Sequence, residues 1–256
     1  MFQRAIVRPP TANFADGLTT VDLGVPDFGK ALKQHAAYCA ALERCGLLVT
    51  RLSPDPRYPD ATFVEDTAVL TSRGAILTRP GAPSRAAEPA AIEPALRCYF
   101  PGLARIQPPG TVDGGDICET GDHFFIGISE RTDAEGARQL ARYLSGLGYT
   151  TSEVDVRSVP GILHLKSGIA AVSERRIAVI EPLAKHPAFQ GLERIAVDPA
   201  ENYAANCVRV NDAVLVAAGY AKLAAAVRRL RLETIELEMS EFEKMDGGLS
   251  CLSLRF

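Results

Sequence analysis

Apolar residues recur along this chain in two patterns, a two-residue alternation over short runs and a helical spacing over longer ones. The first pattern predicts β-strands with one buried face, and the second predicts amphipathic helices. The segment 27–46 shows the helical spacing most clearly, with Asp27 as a suitable N-cap and Gly46 where a C-cap belongs. The chain therefore belongs to the α/β class by pattern, with short strands and a few helices.

The predicted elements follow a fixed order of strand, strand, helix and strand, with a period of roughly 40 to 50 residues that is typical of repeat architectures. Four copies are complete within the chain. Their elements span 61–70, 74–78, 84–99 (helix) and 103–106; 115–118, 124–128, 132–147 (helix) and 149–156; 163–172, 176–180, 187–192 (helix) and 194–197; and 205–210, 213–217, 219–229 (helix) and 233–237.

A fifth copy is divided between the two ends of the chain. Strand 249–254 is its first strand, while strand 2–7, helix 27–46 and strand 47–52 supply the rest. This arrangement predicts a ring that closes by pairing the two termini, which would keep the last strand from fraying. The openings of the first strands would then meet at one end of a central channel. Because no Ser- or Gly-rich linker interrupts the chain, we expect one domain over residues 1–256.

The composition narrows the class of protein. With 256 residues, 47% of them apolar, the chain can bury a large core, and its net charge of −3 argues against a nucleic-acid partner. No apolar run approaches the roughly 18 residues that a membrane span needs. Residues 1–8 alternate like a strand and lack the apolar block of a signal peptide. Six cysteines are scattered without a CxxC motif, so we expect reduced thiols, a cytoplasmic setting and no structural zinc.

Three carboxylates lie close together in the first complete copy, at Asp60, Glu65 and Asp66. In isolation, an acidic cluster of this kind is typical of a solvated loop. Asp60, Phe63 and Glu65 could not all share one face of a regular strand, so we expect a bend or bulge in this segment.

Corresponding positions in three other copies carry Asp113, His164 and Cys251. Each has an ordinary alternative: Asp-Gly is typical of a type I′ turn, a histidine between leucines suits a core, and free cysteine is commonly buried. The glycines before Cys251 could nevertheless bring the backbone close to a ligand. Together, carboxylates, imidazole and thiol favour nucleophilic catalysis on an electrophilic carbon. A planar guanidinium fits, because carboxylates can bind its nitrogens and leave its carbon open to sulfur.

Seven segments also carry a family resemblance, and they occur in order from the first strand to the last. They are Phe63-Val64-Glu65-Asp66, Thr78-Arg79-Pro80-Gly81-Ala82-Pro83-Ser84-Arg85, Asp113-Gly114-Gly115-Asp116, Ser129-Glu130-Arg131-Thr132, His164-Leu165-Lys166, Ala204-Ala205-Asn206-Cys207 and Asp246-Gly247-Gly248-Leu249-Ser250-Cys251. On these segments the chain resembles the dimethylarginine dimethylaminohydrolases. The resemblance implies the pentein fold, a five-bladed α/β propeller of ββαβ repeats. It also implies hydrolysis of Nω-methylated arginines to citrulline and a methylamine through a covalent cysteine S-alkylthiouronium.

The resemblance further implies roles for individual residues. Cys251 would be the nucleophile and His164 the general acid and base, while Asp113 and Asp66 would hold the guanidinium. The rest of the substrate would be bound by the Leu18 and Met245 backbones, Asp60, Phe63, Glu65, Ser250 and the carboxylate-binding pair Arg85 and Arg131. Loop 16–20 would be the active-site lid, although an ordinary surface loop is the alternative. Asp113 stands where some bacterial members carry Glu, which would change the cleft by one methylene.

The implied chemistry requires no metal or organic cofactor, and the expected partner is a small-molecule substrate bound by a monomer or homodimer. Two alternatives remain open. One is an arginine deiminase-like hydrolase of another small guanidine, although the larger arginine deiminases carry a helical insertion for which this chain has no room. The other is a non-catalytic pentein that only binds, although such a protein would not need a thiol, an imidazole and acids together.

Overall fold

Fifteen short strands make up the sheets in a computed structural model that describes residues 1–256. They form five three-stranded sheets. The strands are β1 Arg4–Val7, β2 Leu48–Arg51, β3 Ala68–Thr71, β4 Gly74–Leu77, β5 Leu103–Arg105, β6 Ile117–Thr120, β7 His123–Ile128, β8 Thr150–Asp155, β9 Ile169–Ser173, β10 Arg176–Val179, β11 Glu193–Ala196, β12 Val208–Val210, β13 Ala213–Ala217, β14 Glu233–Leu237 and β15 Leu254–Arg255.

All five sheets share one internal design. The first and second strands pair antiparallel, and the third strand lies parallel to the second at the other edge. A parallel neighbour requires a crossover connection, which four of the sheets make with a helix. The six helices are α1 Phe28–Arg44, α2 Glu88–Arg97, α3 Ala134–Gly146, α4 Leu165–Gly168, α5 Ala221–Arg228 and α6 Ser240–Glu243.

The crossover between β10 and β11 differs from the other four. Two 3₁₀ turns, Glu181–Leu183 and Pro187–Phe189, form this crossover. The helix predicted over 187–192 is therefore wrong, because only its first three residues are helical, as a 3₁₀ turn. Proline is the second residue of the first turn and the first residue of the second turn, positions where its missing N–H costs nothing. The remaining segment is too short to extend either turn into a helix.

The ring closes through the two ends of the chain. Strand β1 pairs antiparallel with β15, with Ala5 opposite Arg255 and Ile6 opposite Leu254, and β1 also pairs parallel with β2. The predicted five-unit ring closed by the termini is thus confirmed. The same pairing holds the segment that follows Cys251 in the sheet.

The core lies in the wedges between neighbouring sheets and the helices that cover them. Strand β13 is buried over its whole length, whereas β2 and β11, at sheet edges, are largely exposed. Helix α1 begins as predicted, with the Asp27 carboxylate accepting from the Lys30 N–H, and Gly46 follows it with a left-handed φ of 88°. None of the helices combines the length and the apolar character that crossing a bilayer demands.

The first strands begin later than predicted, because the chain makes a short helical turn before each one. The segments predicted as strands 61–70, 115–118, 163–172, 205–210 and 249–254 overlap the turns Val64–Thr67, Gly114–Asp116, Leu165–Gly168, Pro199–Ala205 and Ser250–Leu252. The expected bend near Glu65 is therefore a 3₁₀ turn. Neighbouring turns contact one another around the channel, so residues that a strand would send to opposite faces gather at one end of the ring.

Candidate active site

Cys251 lies half-buried in the last of these turns. The left-handed residue before it is Asp246, with φ of 56°, while the two following glycines are needed for close approach. A Cβ on Gly247 would lie 2.2 Å from the Phe63 ring, and one on Gly248 would lie 2.5 Å from the Asn206 side chain. The glycines thus let the nucleophile turn lie directly against its neighbours.

The thiol of Cys251 lies in a negative environment. Its Sγ accepts a weak hydrogen bond from the Gly248 N–H, with 3.4 Å between nitrogen and sulfur. Burial, together with the negative charges of Glu65 and Asp66, raises the pKa of the Cys251 thiol to about 12. The sulfur is therefore protonated at neutral pH.

His164 directly precedes α4, and carboxylates surround its ring. Its Nε2 lies 3.0 Å from Oδ2 of Asp113. Burial alone would lower the pKa of His164, but the carboxylates of Asp116, Asp66 and Asp113 outweigh it and raise the pKa to about 9. A Cβ on Gly115 would lie 2.7 Å from His164 Nδ1, so glycine is required beside the ring. The raised pKa of His164 favours a cationic imidazole at neutral pH, and its surrounding carboxylates differ from the apolar neighbours of a simple core histidine.

Asp66 and Asp113 are fully buried and held by backbone N–H groups. Asp66 accepts from the Gly115 N–H at 2.8 Å, and Asp113 accepts from the Gly81 N–H at the same distance. Burial would raise the pKa of Asp66, but the Arg85 and His164 cations outweigh it and lower that pKa. The type I′ turn considered for Asp113-Gly114 is wrong, because Gly114 begins a 3₁₀ turn that passes against the backbone oxygen of Glu65.

Glu65 lies beneath the nucleophile turn and bonds to the protein on both carboxylate oxygens. Ser250 Oγ donates to Oε2 at 2.6 Å, and Lys166 Nζ lies 2.5 Å from Oε1. Arg255 Nη2 donates to Oε1 at 3.3 Å. The predicted residues Glu65 and Ser250 are thus brought together next to Cys251, and their bonding capacity goes to protein groups.

The two predicted carboxylate-binding arginines differ in their surroundings. Arg85 is buried and donates to Asp66 at 2.6 Å, to both oxygens of Glu88 at 3.0 and 2.8 Å, and to the Phe63 carbonyl at 3.0 Å. Arg131 is half-buried and forms no ion pair. Arg131 is therefore the freer cation at this end of the ring.

The predicted lid contacts the site at two points. The Leu18 N–H donates to Asp60 Oδ1 at 3.1 Å, and the Thr20 N–H donates to Asp246 Oδ2 at 2.5 Å. Burial raises the pKa of Asp60. Met245, whose backbone was predicted to bind substrate, is buried between these contacts and the nucleophile turn. Loop 16–20 thus lies against the segment that leads to Cys251.

Phe63 forms the apolar wall of the same region. Its ring packs against Phe14 and Phe242 with centroid separations of 5.9 and 6.3 Å. These three rings form a buried aromatic cluster that packs against the nucleophile turn through Gly247.

Three buried or half-buried residues near the site were not assigned from the sequence. Asp116 accepts from the Leu165 N–H and is the strongest contributor to the raised pKa of His164. Glu88 holds Arg85, and Asn206 bonds to the nucleophile turn. Asp116 and Asn206 stand in the segments that carry the family resemblance, which is the one signal that could have identified them.

Asp66, Asp113 and His164 are also close enough to hold a metal ion, because one ligand atom from each lies within 4.8 Å of the others. In this structure the same atoms hydrogen-bond to one another or to Arg85 and backbone N–H groups. The expectation of a metal-free reaction stays a prediction.

Comparison with known proteins bears directly on this site. None of the available protein-family models matches the chain. The chain is 46% identical, over 257 residues and the whole of both chains, to the N(G),N(G)-dimethylarginine dimethylaminohydrolase of Pseudomonas aeruginosa. A cysteine-to-serine variant of the enzyme from that organism, complexed with citrulline, matches the fold with a TM-score of 0.97, 45% identity and full coverage of both chains.

A second crystal structure has the same fold. It is a histidine-to-glycine variant of a dimethylarginine dimethylaminohydrolase, in an adduct with S-methyl-L-thiocitrulline, and it matches with a TM-score of 0.96, 45% identity and full coverage of both chains. Sequence identity at this level over the whole length, together with the five-sheet ring, shows that the chain belongs to the dimethylarginine dimethylaminohydrolase family.

Proposed function

We propose that this protein hydrolyses asymmetric dimethylarginine and monomethylarginine to citrulline, releasing dimethylamine or monomethylamine. The observation that carries the proposal is the convergence of Cys251, His164, Asp66 and Asp113 on neighbouring turns, in a chain of this family. Family membership favours this activity over both alternatives, the deimination of another guanidine and a purely binding pentein.

The substrate guanidinium would enter between Asp66 and Asp113, whose buried oxygens can accept hydrogen bonds from its nitrogens. A cation in this position would offset the negative charges that keep the Cys251 thiol protonated. Substrate binding would thereby favour loss of the thiol proton to solvent, so the thiolate forms where the substrate is already bound.

In the first half-reaction the Cys251 thiolate attacks the guanidinium carbon, forming a C–S bond and a tetrahedral adduct. The His164 imidazolium gives its proton to the methyl-bearing nitrogen, the C–N bond breaks, and the methylamine leaves. A histidine pKa of about 9 suits this acid role, because the proton is present at neutral pH before the amine departs.

In the second half-reaction water attacks the same carbon while His164, now neutral, takes the water's proton. The C–S bond breaks and sulfur leaves as the thiolate, while the second proton of the attacking water passes to solvent, which balances the protonation of the released amine, and the product is neutral citrulline. One water is consumed and one methylamine released per turnover. Neutral citrulline has no charge to pair with Asp66 and Asp113, which favours its release.

The amino-acid end of the substrate would lie toward Asp60 and Arg131. The Asp60 carboxylate already accepts the Leu18 N–H of the lid and can pair with the substrate ammonium. The positive charge of Arg131 acts to lower the pKa of Asp60, which supports binding of the substrate carboxylate and ammonium by these two groups. Arg85 would contribute its remaining N–H while its other donors hold Asp66 and Glu88.

The structures of relatives support this chemistry. A relative's complex with citrulline is consistent with citrulline as the product, and an adduct with S-methyl-L-thiocitrulline is consistent with reaction at the carbon that corresponds to the guanidinium carbon.

The test is citrulline release from monomethylarginine, asymmetric dimethylarginine and arginine at matched concentrations. We expect kcat/KM to be highest for a methylated arginine, with methylamine released in equal amount. Equal or faster turnover of arginine would instead favour the deiminase.

A further inference from the structure

The nucleophile turn is held by a side chain from another sheet. Asn206, which is buried, follows the 3₁₀ turn Pro199–Ala205 and precedes β12. Its Oδ1 accepts from the Ser250 N–H at 2.8 Å, and its Nδ2 donates to Ser250 Oγ at 3.0 Å. One amide therefore fixes both the backbone and the side chain of the residue before Cys251.

The same amide reaches the turn that carries the imidazole. Asn206 Nδ2 also donates to the Lys166 carbonyl at 3.0 Å, and Lys166 is two residues after His164. All three hydrogen bonds of this side chain are thus made to the two turns that carry Cys251 and His164. A second connection between the turns runs through Glu65, whose carboxylate bonds to Lys166 and Ser250.

An independent feature shows how tightly the Asn206 side chain packs against the nucleophile turn. A Cβ on Gly248 would lie 2.5 Å from both Cγ and Oδ1 of Asn206 and 3.0 Å from its Cβ. Gly248 lies three residues before the nucleophile. Its lack of a side chain leaves the space that the Asn206 amide occupies.

We infer that Asn206 is a positioning residue of this reaction, one that sets the separation of Cys251 from His164 without touching the substrate. The inference rests on the proposed function. Thiol attack and proton donation to the leaving amine must be aligned on one carbon–nitrogen bond, and displacement of a reacting group by about 1 Å can cost on the order of a hundredfold in rate. Loss of Asn206 should therefore lower kcat and leave KM nearly unchanged.

A matched control is available in Asn211. Its side chain likewise makes three hydrogen bonds that tie separate segments, to the Phe2 N–H, the Phe2 carbonyl and the Cys45 carbonyl. It also has a left-handed φ of 55°, so alanine there is additionally strained. Asn211→Ala should destabilise the protein at least as much as Asn206→Ala, but it does not disturb the two turns.

The experiment compares the parent protein, Asn206→Ala and Asn211→Ala for kcat, KM and thermal unfolding. We expect kcat to fall on the order of a hundredfold for Asn206→Ala with KM within about threefold, and to stay within about twofold of the parent for Asn211→Ala. An Asn206→Ala variant with near-parental kcat, or one that loses no more than Asn211→Ala, would overturn the inference. If the parent released no citrulline, the proposed function would fail first, which separates the two failures.

Should Asn206→Ala not fold, Asn206→Ser provides a second test, because it keeps a small polar group at this position without adding a charge but is too short to bond to both turns. The contact at Gly248 gives a further measurement. Gly248→Ala alone should be strongly impaired, whereas adding it to Asn206→Ala should cost clearly less, because the 2.5 Å contacts with Cγ and Oδ1 are gone and only the 3.0 Å contact with the Cβ at position 206 remains. Equal loss of kcat from Gly248→Ala in both backgrounds would contradict the packing on which the inference depends.

Discussion

Arg85 and Asp66 form a buried ion pair, with Arg85 Nη1 donating to Asp66 Oδ2 at 2.6 Å. Glu88 binds the other edge of the same guanidinium. Burial would lower the pKa of Arg85, but Glu88 and Asp66 outweigh it and raise that pKa well above its usual value. The arginine therefore stabilises the ionised form of a predicted guanidinium ligand, in addition to any contact with substrate.

This pairing separates the effects expected for the two arginines. Arg131→Ala removes a cation without an ion pair, so the fold should persist while kcat/KM falls about ten- to a hundredfold, mainly through KM. Arg85→Ala leaves buried carboxylates without a partner, so it should also lower kcat and destabilise the fold by about 3 to 5 kcal/mol. Steady-state kinetics measures the change in kcat/KM, and denaturant unfolding measures the change in stability.

Agmatine, which lacks the carboxylate, should be a poor substrate of the parent. Processing of agmatine equal to that of methylarginine would refute the carboxylate-binding roles.

Cys251→Ser should abolish turnover and leave folding and substrate binding largely unchanged, because a hydroxyl is a much weaker nucleophile of nearly the same size. The control is Cys98→Ser, which changes an exposed cysteine at the end of α2 and should keep parental activity. Citrulline release and calorimetric binding of methylarginine provide the measurements. Near-normal citrulline production by Cys251→Ser would exclude this thiol as the nucleophile.

Without substrate, the Cys251 thiol should react slowly with neutral alkylating reagents at physiological pH, because its pKa is about 12. The rate of iodoacetamide modification, followed by mass spectrometry on the peptide that contains Cys251, should keep rising from about pH 6 to about pH 10. A plateau near pH 8 would indicate a thiolate already present before substrate binds and would contradict substrate-assisted ionisation.

His164 should titrate near pH 9 in the parent, and its pKa should fall in Asp116→Asn, which removes the largest charge that raises it. Because the folded-state pKa lies above the ordinary value of 6.5, the imidazolium stabilises the fold fully below about pH 6.5 and loses this contribution as pH rises through about 9. The free energy of unfolding should therefore decline across that window, and decline less in Asp116→Asn. NMR titration of the ring is the direct check, and a parental midpoint near 6.5 would be inconsistent with it.

The ring and its order of elements could be predicted because the second strand of each sheet is a clear apolar run in the sequence. Strand β13 was predicted over 213–217 and is observed over the same residues, and β10 differs by one residue. Closure through β1 and β15 followed from treating the two ends as halves of one repeat.

The turns before the first strands could not be predicted from the sequence, because contacts with other parts of the fold determine their conformation. The segment from Phe63 to Leu70 has the composition of a strand, but Gly114 packs against the Glu65 backbone and the chain coils there instead. The same limit applies to the site. The types of reactive group were evident, whereas the pairing of Arg85 with Glu88 and the contacts of Asn206 depend on which turns meet. The single domain over 1–256, the oligomeric state and the cytoplasmic setting stay predictions.

The covalent intermediate on Cys251 provides the most direct measurement. The parent and His164→Gly are mixed with asymmetric dimethylarginine, quenched with acid at intervals, and analysed by mass spectrometry for the mass added to the Cys251 peptide. In the parent the adduct should form and be consumed as citrulline appears. In His164→Gly it should form slowly and persist, because no base remains to activate water. Turnover by the parent with no adduct on Cys251 at any time, or normal turnover by His164→Gly without accumulation, would contradict catalysis through this thiol and imidazole.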